Sequence, residues 1–205
     1  MSKKKRIAIM ISGRGSNMRS LIDACAKPSF PASIELIISN NPDAEGLEIA
    51  RKSGITTQVI DDYDFGNNRQ AHERQINAAL QAHHVTTVCL AGYMRLLSPF
   101  LINEWKGKIL NIHPSLLPAF PGLDTHKKAL KKGVKIHGCT IHIVTEKMDD
   151  GPILGQAAIP VLPDDTENTL AKRVLDQEHL LYPRVLKNFL LGFEADSTSD
   201  TLING

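Results

Sequence analysis

The sequence of 205 residues holds few aromatic side chains, six Phe, three Tyr and one Trp, and they form no recurring stacking pattern. With a formal net charge of only +2, neither a stacking platform nor a basic face argues for nucleic acid as a partner. Cysteine is scarce too. Cys25, Cys89 and Cys139 lie far apart with no CxxC pair, so no disulfide framework or structural zinc site is expected. All three fit a reducing, cytoplasmic compartment, with Cys25 and Cys89 as small core residues. Long apolar runs are missing: Ile7 to Ile11, behind a short basic start, is too brief for a membrane span or a signal-peptide core. Repeats, low-complexity blocks and dividing linkers are absent as well.

What is present is an alternation of short β-rich runs and helical stretches, the pattern of a largely parallel sheet covered by helices. Strands are expected over 6–12, 34–39, 57–60, 86–90, 108–112, 139–144 and 155–161. Helices are expected over 17–27, 44–53, 69–83, 125–132 and 166–191, the last with its cap near Thr166-Glu167-Asn168-Thr169. The reading is a single α/β domain over 1–193, its first half a Rossmann-like βαβ arrangement and a cleft between the halves. A frayed tail over 194–205 completes it.

In such a sheet the ligand site lies beyond the carboxyl ends of the strands. Ser12-Gly13-Arg14-Gly15-Ser16-Asn17 follows the first of them. Glycine allows a tight turn, and a helix start offers N–H groups and a positive dipole end to an anion. The motif lacks the third glycine of a dinucleotide fingerprint and the lysine of a P-loop, so a plain strand-to-helix turn is an equal reading of it.

Asn111 and His113 stand two apart where another strand ends, which turns both side chains the same way. An imidazole can move a proton near neutral pH, and an amide N–H can donate to an oxyanion. Those are the needs of acyl transfer to an amine, although His113 alone also reads as a hydrogen-bonded structural histidine. After the strand 139–144 comes Thr145-Glu146-Lys147-Met148-Asp149-Asp150-Gly151-Pro152. A carboxylate here could orient His113, and an Asp-Asp-Gly run is equally an ordinary turn. His137 and His142 lack cysteine partners at ligand spacing, so no metal is expected.

Together these segments resemble the folate-dependent glycinamide ribonucleotide formyltransferases, from about Arg6 to Phe193. The resemblance rests on Ile11 to Asn17, on Leu90-Ala91-Gly92-Tyr93-Met94-Arg95-Leu96-Leu97-Ser98-Pro99, on Leu110 to Pro118, and on Met148 to Pro152. It implies direct formyl transfer from 10-formyltetrahydrofolate as co-substrate, without metal, through a tetrahedral intermediate. The implied catalytic residues are Asn111 on the oxyanion, His113 as stabiliser and proton handler, and Asp149 as its charge partner. Gly15, Ser16 and Asn17 would take the ribonucleotide phosphate, and Glu178 its sugar, unless Glu178 is only a solvated helix residue. The folate would meet Arg69, the run Met94, Arg95, Leu96 and Leu97, and, beside Asn111, the segment Thr145, Glu146, Lys147, Met148 and Asp149. Asp150, Asp124 and Leu175 depart from the family pattern without touching the catalytic residues. The implied partners are small molecules, with no nucleic acid or membrane, and the protein would be a monomer or homodimer.

Within the same superfamily, a methionyl-tRNA formyltransferase would need a further C-terminal domain, and a formyl-folate hydrolase a domain ahead of the core. A sugar-amine formyltransferase of core length stays open, with the phosphate loop against it. A non-catalytic folate or nucleotide binder on the same fold is the rival of another class.

Overall fold

The computed structural model describes residues 4–66 and 68–192, together with the backbone of 201–203. The chain divides into two compact units, Met1–Asn111 and Ile112–Gly205.

In the first unit β1 (Lys5–Ile11), β2 (Ala32–Ser39), β3 (Thr57–Val59), β4 (Thr87–Leu90) and the start of β5 (Ile109–His113) are ordered β3-β2-β1-β4-β5. Every neighbouring pair is parallel. The central strand explains the expected run: Ile7, Ala8, Ile9, Met10 and Ile11 are all fully buried, as a strand covered on both faces must be. Helices α1 (Ser16–Cys25), α2 (Glu45–Lys52) and α3 (Arg69–Ala82) connect the strands. They bury Met18 and Leu21, Leu47 and Ala50, and Ile76 and Leu80, pairs three or four residues apart.

Two elements of this unit escaped the sequence reading: a 3-10 turn over Asp62–Phe65 and a six-residue helix α4 (Pro99–Glu104). The second is anchored by the buried Glu73, whose carboxylate accepts from both the backbone N–H and the hydroxyl of its N-cap Ser98.

The second unit departs from the parallel pattern. Strand β6 (Ile136–Ile143) runs antiparallel to β7 (Ile153–Pro160), and Thr201–Ile203 form β8, parallel to β7. The rest of the tail expected to fray lies outside the described residues. Where β6 and β7 cross at Gly138, an added Cβ would sit 1.9 Å from the Ala157 carbonyl oxygen, so only glycine fits. Helix α5 (Thr125–Lys132) spans the expected range, and α6 (Glu167–Leu191) starts at a Thr166–Thr169 capping box.

All three cysteines are buried thiols. Burial pushes the Cys25 thiol up to about 12. No helix among the described residues is long and apolar enough to cross a membrane.

Candidate active site

Strand β5 ends on Ile112 and His113, and Pro114 stops it. His113 is buried while Asn111 is half-buried. The stretch that follows is pinned rather than loose. Ser115 Oγ donates to the Ala119 carbonyl at 2.6 Å, Thr140 Oγ1 to the Ser115 carbonyl at 2.7 Å, and Gln156 Nε2 to the Leu117 carbonyl at 2.9 Å. A rigid support of this kind holds an imidazole in one orientation.

Both nitrogens of His113 face oxygen. Nε2 lies 3.0 Å from the Phe120 carbonyl, and Nδ1 lies 3.5 Å from Asp149 Oδ2. That same carboxylate oxygen accepts the Gly122 backbone N–H at 2.8 Å. Between the two adjacent acids, the backbone makes the choice. Asp149 adopts φ +52°, a left-handed geometry that Asp tolerates better than most residues, and its side chain is only 11% exposed. Asp150 turns outward and pairs with Lys147 at 2.9 Å, both side chains at least half exposed. Gly151 closes the turn: a Cβ there would lie 1.8 Å from the Ile143 carbonyl oxygen.

A histidine that sequence reasoning left without a role also meets Asp149. His142 Nε2 is 3.7 Å from Asp149 Oδ1, while its Nδ1 lies 3.0 Å from the Ile143 carbonyl. Burial lowers the pKa of His142, with the Ile143 carbonyl and Asp149 opposing. The pairing register shifts between Ile141 and His142, a bulge of the sort that re-aims a side chain. A second histidine pair is His126 Nδ1 and His137 Nε2, 3.2 Å apart. Burial first, then the neighbouring His126 and His113, bring His137 down to about 4. Among the described residues no three His, Cys, Asp or Glu side chains form a metal-holding group.

In the first unit, Gly15 caps α1 at φ +73°, and a Cβ on it would lie 2.9 Å from the Gly46 Cα. Gly46 in turn donates its N–H to the Gly13 carbonyl at 3.0 Å. The loop 12–15 is thereby wedged against the start of α2, with the first turn of α1 (Ser16, Asn17) presenting its N–H end. No acidic residue occupies that turn.

The residues expected on the folate side sort into two groups here. Arg69, the first residue of α3, lines a pocket of about 380 Å³ with Arg95, Asp62, Tyr63 and Gly66. Met94 and Leu96 are exposed, at 66% and 59%, while Leu97 is half-buried. In the second unit Glu146, Lys147 and Met148 are exposed, and Thr145 Oγ1 donates to the Lys147 carbonyl at 3.2 Å. Glu178 is buried on the face of α6 that carries Leu170, Val174 and Leu181. That burial removes the alternative of a solvated helix residue, and desolvation, then Glu178, push the Cys139 thiol up. Asp124 takes the N-cap of α5 at φ +57°.

The family profile described as formyl transferase matches residues 5–186. Phosphoribosylglycinamide formyltransferase of Escherichia coli is 42% identical over 186 residues, which cover 91% of this chain and 87% of that protein. The trifunctional purine biosynthetic protein adenosine-3 of Drosophila melanogaster is 44% identical over 192 residues. This chain spans 14% of the length of that relative. The crystal structure of phosphoribosylglycinamide formyltransferase from Brucella melitensis superposes with a TM-score of 0.88 at 54% identity, covering 93% of this chain and 97% of that one.

Proposed function

The chain belongs to the formyl transferase family, and we propose that it moves the formyl group of 10-formyltetrahydrofolate onto the amine of glycinamide ribonucleotide, a step of purine biosynthesis. The observation that carries this reading is the buried His113 with its Nδ1 3.5 Å from Asp149 Oδ2, at the end of a strand that also holds Asn111. The strong likeness to phosphoribosylglycinamide formyltransferases over nearly their whole length supports the choice of acceptor.

In the reaction the acceptor amine attacks the formyl carbon, and a C–N bond forms as the carbonyl electron pair moves to oxygen. The Asn111 amide donates to that oxyanion, and His113 stabilises it and handles protons. One such donor is worth about 100- to 1000-fold in rate. Asp149, held by the Gly122 N–H, keeps His113 oriented. Collapse of the intermediate breaks the bond from carbon to folate nitrogen, and the proton lost by the amine arrives on that nitrogen. Gly15, Ser16 and Asn17 bind the ribonucleotide phosphate through backbone N–H groups, and Glu178 binds the sugar. Arg69, Met94 to Leu97, and Thr145 to Asp149 receive the folate. Cytoplasmic work as a monomer or homodimer completes the reading.

The test is an absorbance assay of folate release with 10-formyltetrahydrofolate and glycinamide ribonucleotide, with a 4-amino sugar nucleotide as competing acceptor. Turnover with glycinamide ribonucleotide alone is expected. Turnover with the sugar nucleotide only would keep the chemistry and change the acceptor. Folate binding without turnover on either would make the protein a binder.

A further inference from the structure

Four side chains and one backbone amide close a hydrogen-bonded ring across the first unit. The Met94 N–H donates to Ser12 Oγ at 2.8 Å, Ser12 Oγ donates to Asn40 Oδ1 at 2.6 Å, and Asn40 Nδ2 donates to Asp62 Oδ1 at 2.9 Å. Arg95 Nη1 reaches the other oxygen, Asp62 Oδ2, as a charge-assisted bond. Since Met94 and Arg95 are adjacent, the circuit is complete. Its members come from the ends of β1 and β2, the 3-10 turn and the loop after β4.

The polarity of the ring is fixed. Ser12 has one proton, and giving it to Asn40 Oδ1 leaves a lone pair for the Met94 N–H. The Asn40 amide is thereby oriented with its NH₂ toward Asp62. Donation runs from Met94 through Ser12 and Asn40 to Asp62, and from Arg95 to Asp62 from the other side. Every arrow ends on the one carboxylate, and chained bonds of a common direction strengthen one another. A second tie supports Ser12: its N–H donates to the Gly92 carbonyl at 3.1 Å.

We propose that Asp62 and Asn40 are positioning residues that lock the loop 92–97 to the glycine loop 12–15, and so set the binding site for the formyl donor. This role rests on the reading above, in which Met94 to Leu97 receive the folate. Neither residue need touch a substrate. Asp62 holds the Arg95 guanidinium, and Ser12, which precedes Gly13, fixes the Met94 amide, so the two loops cannot shift independently.

The ring predicts a reciprocal rescue. In Asp62→Asn, two donors, Asn40 Nδ2 and Arg95 Nη1, compete for one carbonyl oxygen. In Asn40→Asp, two carboxylates face each other. Combining them restores a consistent circuit, with donation from Ser12 to Asp at 40, from Asn at 62 to Asp at 40, and from Arg95 to Asn at 62.

Each single variant is expected to raise KM for 10-formyltetrahydrofolate about tenfold, with kcat within about twofold, the size of one lost charge-assisted bond. The double variant is expected to return to within about threefold of the parent. Amide exchange at Met94, read by NMR without any substrate, should quicken in both single variants and slow again in the double. A double variant no better than the worse single one would overturn the ring, because simple neutralisation of Arg95 by Asp62 cannot be restored by a carboxylate at position 40. Met94 exchange that follows the expected pattern while KM stays flat would overturn the positioning role alone. A parent protein inert toward every acceptor would overturn the functional reading, and the donor-binding role with it, while Met94 exchange would still report on the ring.

Discussion

The loop after β1 and the turn after β6 solve different chemical problems with different parts of the chain. The first is made of backbone: Gly15 at φ +73°, its missing side chain filled by Gly46, and the N–H end of α1. The second is made of side chains: His113 and His142, whose ring nitrogens lie 3.5 and 3.7 Å from the two carboxylate oxygens of Asp149. A backbone cradle is sensitive to added volume and indifferent to most side-chain chemistry. A side-chain dyad is sensitive to a single atom and survives changes nearby. Charge follows the same division. The glycine loop carries no acid in its helix's first turn, which would suit the phosphate proposed there, whereas the β6 turn carries three, Glu146, Asp149 and Asp150, and keeps only Asp149 inside.

The sharpest way to test that contrast is His113→Ala, which should reduce kcat about 1000-fold, by loss of oxyanion stabilisation and of proton transfer, with nucleotide affinity unchanged in a direct binding assay. Asp149→Asn should cost about 100-fold in kcat, since Asn keeps the left-handed geometry and an acceptor for the Gly122 N–H but loses the charge. A rate near that of the parent would show that the turn works through its shape, as the glycine loop does. Gly15→Ala should do the opposite. With its Cβ 2.9 Å from Gly46, it should weaken nucleotide binding about tenfold and lower stability by roughly 1–2 kcal/mol, seen as a lower urea midpoint, with folate affinity retained. Equal loss of both ligands would erase the distinction.

The smallest effect concerns acid. Burial lowers the pKa values of His126, His137, His142 and His179, His137 to about 4, and all four lie in Ile112–Gly205. A histidine whose folded value lies below its unfolded one, near 6.5, binds protons more readily once unfolded. Its stabilising contribution is therefore whole above about pH 6.5 and is lost as pH falls toward 4. The urea midpoint should drop between pH 7 and pH 5, and His137→Gln should flatten part of that slope.

Much of the first unit was legible because buried parallel strands are written as unbroken apolar runs, and Ile7 to Ile11 is one. The antiparallel β6 and β7 were not. Their connection, Val144 to Pro152, carries no two-residue hairpin signal, and the direction of a strand leaves no trace in its own composition. Helix α4 was missed because six residues offer only Leu101 and Ile102 as a buried face. At the site, Asn111 and His113 were readable from their spacing on one strand. The resemblance named Asp149, and the structure turns it inward and Asp150 outward through a dihedral angle that no spacing announces. His142 looked like a strand residue until a register shift re-aimed it. The pairing of Asp62 with Arg95 spans 33 positions and belongs to the tertiary fold alone.

Strand β1 has a further consequence, for the order in which the protein can be made. It is flanked by β2 on one side and by β4 on the other, through Ile7 to Met10 against Thr87 to Leu90. During synthesis the second neighbour therefore arrives some 80 residues after the strand it completes. Until then a strand with five fully buried residues, Ile7 to Ile11, presents an open hydrogen-bonding edge. A nascent chain stalled before Thr87, or a fragment truncated there, carries that edge uncovered and is a substrate for chaperones or a seed for edge-to-edge association.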